Sequence, residues 1–228
     1  MTVLATTMYM FSDFLQSLSC VFLTLASIGI AYTFLGAALV RRFASEVPKS
    51  GTHCPAITLL KPLHGAEPSL YDNLISFCDQ HYAAPVQILV GVQDADDAAV
   101  GDVNRLIRER PNCDIRLIVT PEPRGPNPKI ANLIGLQPHI AHDTVIVSDS
   151  DIAVGRDYLT RTVAALEAPG VGLVTWLYRA VPQCGIWARL AGMAVDYHFL
   201  PGVLAGLRLG LARPAFGSTL ALRREVLV

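Results

Sequence analysis

The alternation of apolar and polar positions separates one long apolar run from a series of short ones. Residues 14–40 contain no charged side chain, and this run exceeds the roughly 20 residues that a helix needs to cross a bilayer. A cleaved signal peptide is the alternative, but the run is long for one and no basic region precedes it. The pattern therefore predicts an N-terminal segment, residues 1–43, with one transmembrane helix at about 14–40.

The charges on either side of this run predict its orientation. Arg41, Arg42 and Lys49 follow the run, whereas only Asp13 and no basic residue precedes it. Basic residues concentrate on the cytoplasmic side of membrane segments. We therefore predict that residues 44–228 form a cytoplasmic domain.

Short apolar runs alternate with amphipathic helical patterns after a polar linker at residues 44–55. One helix is predicted to begin at Pro68, another to include Val100 and Val103, and a short third to occupy residues 128–136. This alternation predicts an α/β domain with a mostly parallel sheet and helices on both faces. The predicted strands are residues 57–60, 86–92, 115–119, 145–147, 171–177 and 220–222.

Acidic residues follow two of the predicted strands. Asp149 and Asp151 come after the fourth, and a cluster that begins with Asp94 comes after the second. Residues two apart on an extended backbone point to the same side, so Asp149 and Asp151 can face one hard cation. Ligands of such sheets bind at the carboxyl ends of the strands. The pattern predicts a divalent cation that binds the diphosphate of a nucleotide. Such a site is typical of enzymes that transfer a group from a nucleotide-activated donor.

Two further segments allow two interpretations each. The proline-rich residues 121–128 lead to Lys129 and Asn132 at a helix start, which suits an anionic or nucleotide ligand but also a plain surface turn with a solvated lysine. Residues 186–211 are apolar and rich in glycine, but they include charged positions such as Arg189 and Asp196. They are compatible with a helix in the membrane interface and with a buried core helix.

Composition narrows the classes of function. The net charge of -1 comes with no basic stripe, which argues against nucleic acid as a partner. The five cysteines form no C-x-x-C pair. In a cytoplasmic domain they are expected to stay reduced and to fill the core rather than to bind zinc.

Five motifs together resemble ceramide glucosyltransferases, and most of all their bacterial relatives, the hopanoid-biosynthesis-associated glycosyltransferases. The motifs are ITLLKPLHG at 57–65, VQDADD at 92–97, NPKI at 127–130, SDSD at 148–151 and GSTLALRR at 217–224. The resemblance implies a GT-A nucleotide-sugar fold at a membrane, expected to be the bacterial inner membrane. It also implies transfer of a hexose, glucose or N-acetylglucosamine, from a UDP-sugar to a lipid hydroxyl of a hopanoid polyol or ceramide, with inversion.

The resemblance also assigns roles to residues. Asp94 matches the family's first aspartate, which contacts the nucleotide, and Asp149 matches the second, in the metal motif that Asp151 completes. Lys61, Asn127 and Lys129 lie in the matched motifs and are expected at the donor. Mg²⁺ or Mn²⁺ is the expected cofactor.

The chain departs from the family pattern in one respect. The family continues with a third aspartate, its candidate base, and with a Gln/Arg-x-x-Arg-Trp motif, and neither occurs here. The expectation is an incomplete domain whose base lies beyond the last residue, with slow or no turnover by this chain alone. The alternatives are a membrane-tethered module that binds a nucleotide sugar without turnover and a haloacid-dehalogenase-type phosphatase. The phosphatase fold normally has its D-x-D on the first strand, whereas three predicted strands precede it here.

Overall fold

The structure is a computed structural model that describes residues 2–46, 53–121 and 126–227. It divides into two compact units. The helical unit combines the described parts of Met1–Glu46 with Arg179–Pro214, and the sheet unit combines those of Val47–Tyr178 with Ala215–Val228. The sequence-based division at residues 43 and 44 did not anticipate that Arg179–Pro214 groups with the N-terminal helix.

The sheet unit contains a six-stranded sheet in the order β3-β2-β1-β4-β6-β5. The first four strands in chain order are mutually parallel, and β6 runs antiparallel to both of its neighbours. The predicted α/β class with a mostly parallel sheet is confirmed. The strands are β1 (Ile57–Pro62), β2 (Val86–Val92), β3 (Asp114–Val119), β4 (Thr144–Ser148), β5 (Leu173–Thr175) and β6 (Thr219–Arg223).

Helices cover both faces of this sheet. One face packs against α2 (Leu70–Cys78), α3 (Ala99–Glu109) and α5 (Tyr158–Leu166), and the other packs against α4 (Pro128–Leu136). Adjacent residues of one strand serve opposite cores, since successive side chains of a strand alternate between faces. Leu59 packs in the first core and Leu60 in the second. Burial on both faces explains why these strands are continuous apolar runs.

Two helical elements of the sheet unit differ from the prediction. Pro68 is not the first helical residue, because α2 begins at Leu70 after Ser69, which has a left-handed φ of 61°. The helix α5 was not predicted. By contrast, β2 and α4 occupy the predicted residues.

The helical unit consists of α1 (Thr2–Ser45), α6 (Gly185–Met193), a π-helical stretch (Ala194–Phe199) and α7 (Leu200–Arg208). The chains of α1 and α7 approach closely where glycine removes a side chain: a Cβ on Gly36 would lie 3.0 Å from the Cβ of Pro201. Within the described residues, two helical stretches, Met10–Ser45 and Gly185–Arg208, are long and apolar enough to cross a membrane.

The stretch Gly185–Arg208 is not a buried core helix. Ile186, Trp187 and Tyr197 are 67%, 80% and 75% exposed. The structure therefore contradicts the core-helix interpretation of residues 186–211.

Candidate functional site

A cleft of about 370 Å³ opens at the carboxyl edge of the parallel strands. The loops after β1, β2 and β4 form its walls together with the first turns of α4, so the sheet topology itself brings these segments together. The cleft is lined by Pro62, Leu63, His64, Glu67, Gln93, Asn127, Pro128, Lys129, Asn132, Asp149, Ser150 and Asp151. Of the residues predicted at the donor or the metal, Asn127, Lys129, Asp149 and Asp151 line it.

The two carboxylates of the D-x-D motif differ in their surroundings. Asp149 follows β4 directly, its backbone N–H donates to Ser218 O at 3.0 Å, and its side chain is 30% exposed. The Lys129 ammonium forms an ion pair with Asp149 Oδ1 and donates to Gly217 O at 2.9 Å. Asp151 is exposed. Lys129 is thus tied to the cleft and is not the solvated lysine of a surface turn.

Helix α4 starts at the cleft because Asn127 caps it. Asn127 Oδ1 accepts the backbone N–H groups of Lys129 and Ile130 at 3.0 and 3.3 Å, and Pro128 occupies the first helical turn, where its missing N–H costs nothing. The proline-rich segment before this cap includes residues 122–125, which lie outside the described residues. The helix terminus adds partial positive charge at this wall of the cleft.

Asn132 holds two strand ends together beneath the cleft. Its buried Nδ2 donates to Gly91 O at 2.8 Å and to Leu63 O at 3.4 Å. Close packing against β2 makes glycine necessary at position 91, because a Cβ there would lie 1.9 Å from Asn132 Oδ1.

Lys61 lies below the cleft rather than in its wall. Its side chain is fully buried, and Nζ donates to Asp149 O at 2.6 Å and to Ser148 Oγ at 3.2 Å. Burial lowers the pKa of Lys61 to about 7, against the opposing effect of the carboxylates of Asp149, Asp151 and Glu67. This burial contradicts the expectation of direct contact between Lys61 and the donor, so any effect on donor binding is indirect.

The acidic cluster after β2 separates into two kinds of residue. Asp94 is exposed, accepts the N–H of Asp96 at 2.9 Å and does not line the cleft, although its neighbour Gln93 does. Asp97 is structural: its carboxylate accepts the N–H of Gly65 through both oxygens at 3.0 Å and that of Ala99 at 2.8 Å. It therefore fixes the loop after β1.

The predicted metal site has two carboxylates as its ligands, those of Asp149 and Asp151. Among the described residues, no group of three or more His, Cys, Asp or Glu side chains could hold a metal ion. Mg²⁺ in nucleotide sites is typically held by one or two carboxylates, with phosphate and water oxygens as the other ligands. Asp149 and Asp151 fit a cation of that kind. Lys129 would then share or release the Asp149 carboxylate.

Sequence reasoning missed four polar residues that line the cleft, His64, Glu67, Gln93 and Ser150. Gln93 and Ser150 lie inside the matched motifs, beside the residues that were singled out, so their positions at strand ends were a usable signal. Glu67 lies beyond the end of the first motif, and no local pattern marks it.

The comparisons with known proteins agree on one family. The model of glycosyl transferase family 21 matches residues 21–228. A ceramide glucosyltransferase of Gibberella zeae is 31% identical over 183 residues, which are 74% of this chain and 34% of the relative. Ceramide glucosyltransferase 1 of Caenorhabditis elegans is 31% identical over 103 residues, 45% of this chain and 22% of the relative. The chain thus spans about a third or less of these relatives' length.

Solved structures show the same fold. A mannosyltransferase of Pyrobaculum calidifontis, solved with GDP-Man and Mn²⁺, superposes with a TM-score of 0.57 at 20% identity. The superposition covers 86% of this chain and 57% of the mannosyltransferase chain. Glucosyl-3-phosphoglycerate synthase of Mycobacterium tuberculosis, solved with Mn²⁺ and UDP-glucose, gives 0.50 at 20% identity, with 76% and 57% covered. The fold is the GT-A fold of glycosyltransferases.

Proposed function

Because the chain belongs to glycosyl transferase family 21, we propose that it binds a UDP-sugar with a divalent cation and transfers the hexose to a lipid hydroxyl. The observation that carries this proposal is the pair Asp149 and Asp151 in the cleft at the carboxyl edge of a GT-A sheet, next to the Lys129 ammonium. The finer proposal is glucose or N-acetylglucosamine as the sugar and a hopanoid polyol or ceramide as the acceptor, with inversion at the sugar.

Each element of the cleft has a role in this proposal. Asp149 and Asp151 would hold Mg²⁺ or Mn²⁺, which when bound offsets the diphosphate charge and stabilises the departing UDP. Lys129 and the amino terminus of α4, shaped by Asn127, attract the negative diphosphate. Asp94 is proposed to contact the nucleotide from the mouth of the cleft. An inverting transfer also needs a base at the acceptor hydroxyl, and no described residue is assigned to that role.

The helical unit supports a lipid acceptor. We propose that α1 lies in the membrane with the sheet unit on the cytoplasmic side, since its large apolar side chains, such as Phe14 and Phe34, are 62% and 73% exposed. We propose that the stretch Gly185–Arg208 lies in the membrane interface. Its Ile186 and Trp187 are exposed. Four exposed arginines within or beside the stretch suit anionic lipid head groups: Arg179, Arg189, Arg208 and Arg213.

Isothermal titration calorimetry with UDP and Mn²⁺ in detergent tests donor binding. We expect heat of binding with the wild type, strong weakening by Asp149→Ala and Asp151→Ala, and loss of the metal-dependent part in EDTA. Asp143→Ala is the matched control, because Asp143 is exposed at the opposite end of the same strand. Absence of heat with the wild type, or equal binding by all variants, would contradict the proposal.

A transfer assay tests turnover separately. Labelled UDP-glucose and UDP-N-acetylglucosamine are offered with a ceramide or a hopanoid polyol in detergent. Product formation supports the transferase, whereas donor binding without product supports the alternative of a binding module. The haloacid-dehalogenase alternative is contradicted by the family match.

A further inference from the structure

A set of polar side chains beneath the cleft and in its wall holds the D-x-D segment. Lys61 Nζ donates to the backbone O of Asp149 and to Ser148 Oγ. From α2, Asn73 Nδ2 donates to the backbone O of Ser150 at 3.2 Å. We call the side chains of Lys61, Glu67, Asn73, Ser148 and Ser150 the support cluster.

A further bond of the support cluster joins it to the loop after β1. Ser150 Oγ, from the residue between the two aspartates, donates to Glu67 Oε1 at 2.6 Å. Glu67 Oε2 is also buried and has no hydrogen-bond partner among the residues that the structure describes. The wall of the cleft that carries Glu67 is therefore tied directly to the D-x-D segment.

Stability alone does not account for this arrangement. Lys61 is 0% exposed and its ammonium lies 3.8 Å from the centre of the Phe77 ring, on a strand whose other side chains are mostly apolar. Burying a lysine and an incompletely bonded carboxylate costs free energy, and well-packed apolar side chains of similar volume often stabilise a fold as well or better.

The bonds of the support cluster reach backbone carbonyls and the two serine hydroxyls, and none of them engages the carboxylate of Asp149 or Asp151. We propose that Lys61 and Glu67 are positioning residues that fix the backbone of residues 148–150 so that both aspartates present their carboxylates to a cation and a diphosphate. This inference rests on the proposed function of the same cleft. Neither residue needs to touch the donor.

The decisive variant is Lys61→Met, which keeps an unbranched side chain that is one heavy atom shorter and removes the hydrogen-bond donors. Electron paramagnetic resonance measures the Mn²⁺ affinity in the presence of UDP, and calorimetry in EDTA measures UDP binding without metal. We expect Mn²⁺ affinity to fall by about 10- to 100-fold, the usual loss when a group that orients metal ligands is removed. Metal-free UDP binding should stay unchanged, which a general loss of structure would not produce.

Thr58→Val is the matched control for loss of a buried polar group. Thr58 lies on the same strand, is fully buried and donates to Gln87 Oε1 at 2.8 Å, away from the cleft. It should retain wild-type Mn²⁺ affinity at a similar cost in melting temperature. Equal Mn²⁺ affinity in Lys61→Met and the wild type would overturn the proposal.

A second pair of variants decides the matter if Lys61→Met does not fold. Ser150→Ala removes the bond to Glu67 and should weaken Mn²⁺ binding, while Ser150→Thr keeps a hydroxyl and should restore it. Equal affinities in this pair would overturn the role of Glu67. If the wild type binds neither Mn²⁺ with UDP nor UDP alone, the proposed function itself fails, and that result differs from selective loss in the variants.

Discussion

At the scale of single residues, the ion pair between Lys129 and Asp149 has a consequence for metal binding. An ammonium on Asp149 Oδ1 occupies one oxygen that a cation would use. We expect Lys129→Met to raise the Mn²⁺ affinity of the ligand-free protein by up to about fivefold, since ion pairs with this degree of exposure contribute about 0.2–1 kcal/mol. The same variant should weaken metal-free UDP binding, because the diphosphate loses a positive partner.

Electron paramagnetic resonance of free Mn²⁺ and calorimetry with UDP measure the two effects of Lys129→Met. Arg108→Gln removes an exposed positive charge from α3 and controls for net charge. If both variants change Mn²⁺ affinity equally, the effect is one of overall charge and not of competition at Asp149.

Substitution by alanine should have opposite effects on stability at two glycines, Gly91 and Gly101. A Cβ at Gly91 would clash with the buried Asn132 side chain, so Gly91→Ala should lower the free energy of unfolding by about 1–3 kcal/mol or more. Gly101 lies in α3 with nothing within 4 Å of a new Cβ, so Gly101→Ala should raise it by about 0.5–1 kcal/mol. Thermal unfolding in detergent compares them. Equal melting temperatures would contradict the packing around Asn132.

At the scale of elements, the sequence predicted the bounds of those helices and strands that depend on neighbouring residues in the chain. The bounds of β2 and α4 follow from an apolar run and from a cap with proline behind it, and both were predicted from sequence. The helix α5 was missed, and α2 was placed too early at Pro68 because Ser69 adopts a left-handed conformation that no propensity indicates.

The roles of Lys61 and Glu67 could not be predicted from sequence for a different reason. Lys61 donates to Asp149, 88 positions away, and Glu67 accepts from Ser150, 83 positions away. A lysine in a strand motif is compatible with a ligand contact or with a buried support, and only the fold decides. Asp149, Asp151, Asn127 and Lys129 stay predictions as ligands of the donor or the metal. All four line the cleft, where strand ends and a helix start converge at one edge of a parallel sheet.

The proposed interface position of the stretch Gly185–Arg208 leads to an expected depth for one side chain. Trp187 is 80% exposed, while Trp176, the only other tryptophan, packs against Tyr158 in the sheet unit. In a Trp176→Phe background, we expect the Trp187 fluorescence to be quenched by lipids with a spin label near the head group more than by lipids labelled deep in the acyl chain. Vesicles of phosphatidylcholine with phosphatidylglycerol provide the anionic surface.

A matched variant tests the contribution of charge to this placement. Arg189→Gln should reduce the extra quenching that anionic vesicles give over neutral ones, because a basic residue near an anionic membrane surface contributes about 1 kcal/mol. Strongest quenching by the deep label would show that this stretch spans the bilayer instead. No quenching by either label would show that it does not contact lipid.

At the scale of the whole molecule, the proposed activity requires the nucleotide cleft and the lipid acceptor to meet at one membrane surface. Soluble UDP-sugars are cytoplasmic in the proposed scheme, so we predict that the sheet unit faces the cytoplasm. The basic residues Arg41 and Arg42 at the end of α1 favour this orientation. The orientation of α1 does not depend on whether this chain turns over its donor. It can therefore be tested without an activity assay.

Two cysteines offer a direct test of this orientation. Cys54 is exposed in the sheet unit, and Cys20 lies within the apolar part of α1. In a variant that retains only Cys54, we expect a membrane-impermeant maleimide to label the protein in permeabilised cells and not in intact ones. A variant with only Cys20 should resist labelling in both until detergent is added, since a water-soluble reagent does not reach a thiol in the hydrocarbon of the bilayer. Labelling of Cys54 in intact cells would reverse the proposed orientation, and labelling of Cys20 in both would remove α1 from the bilayer.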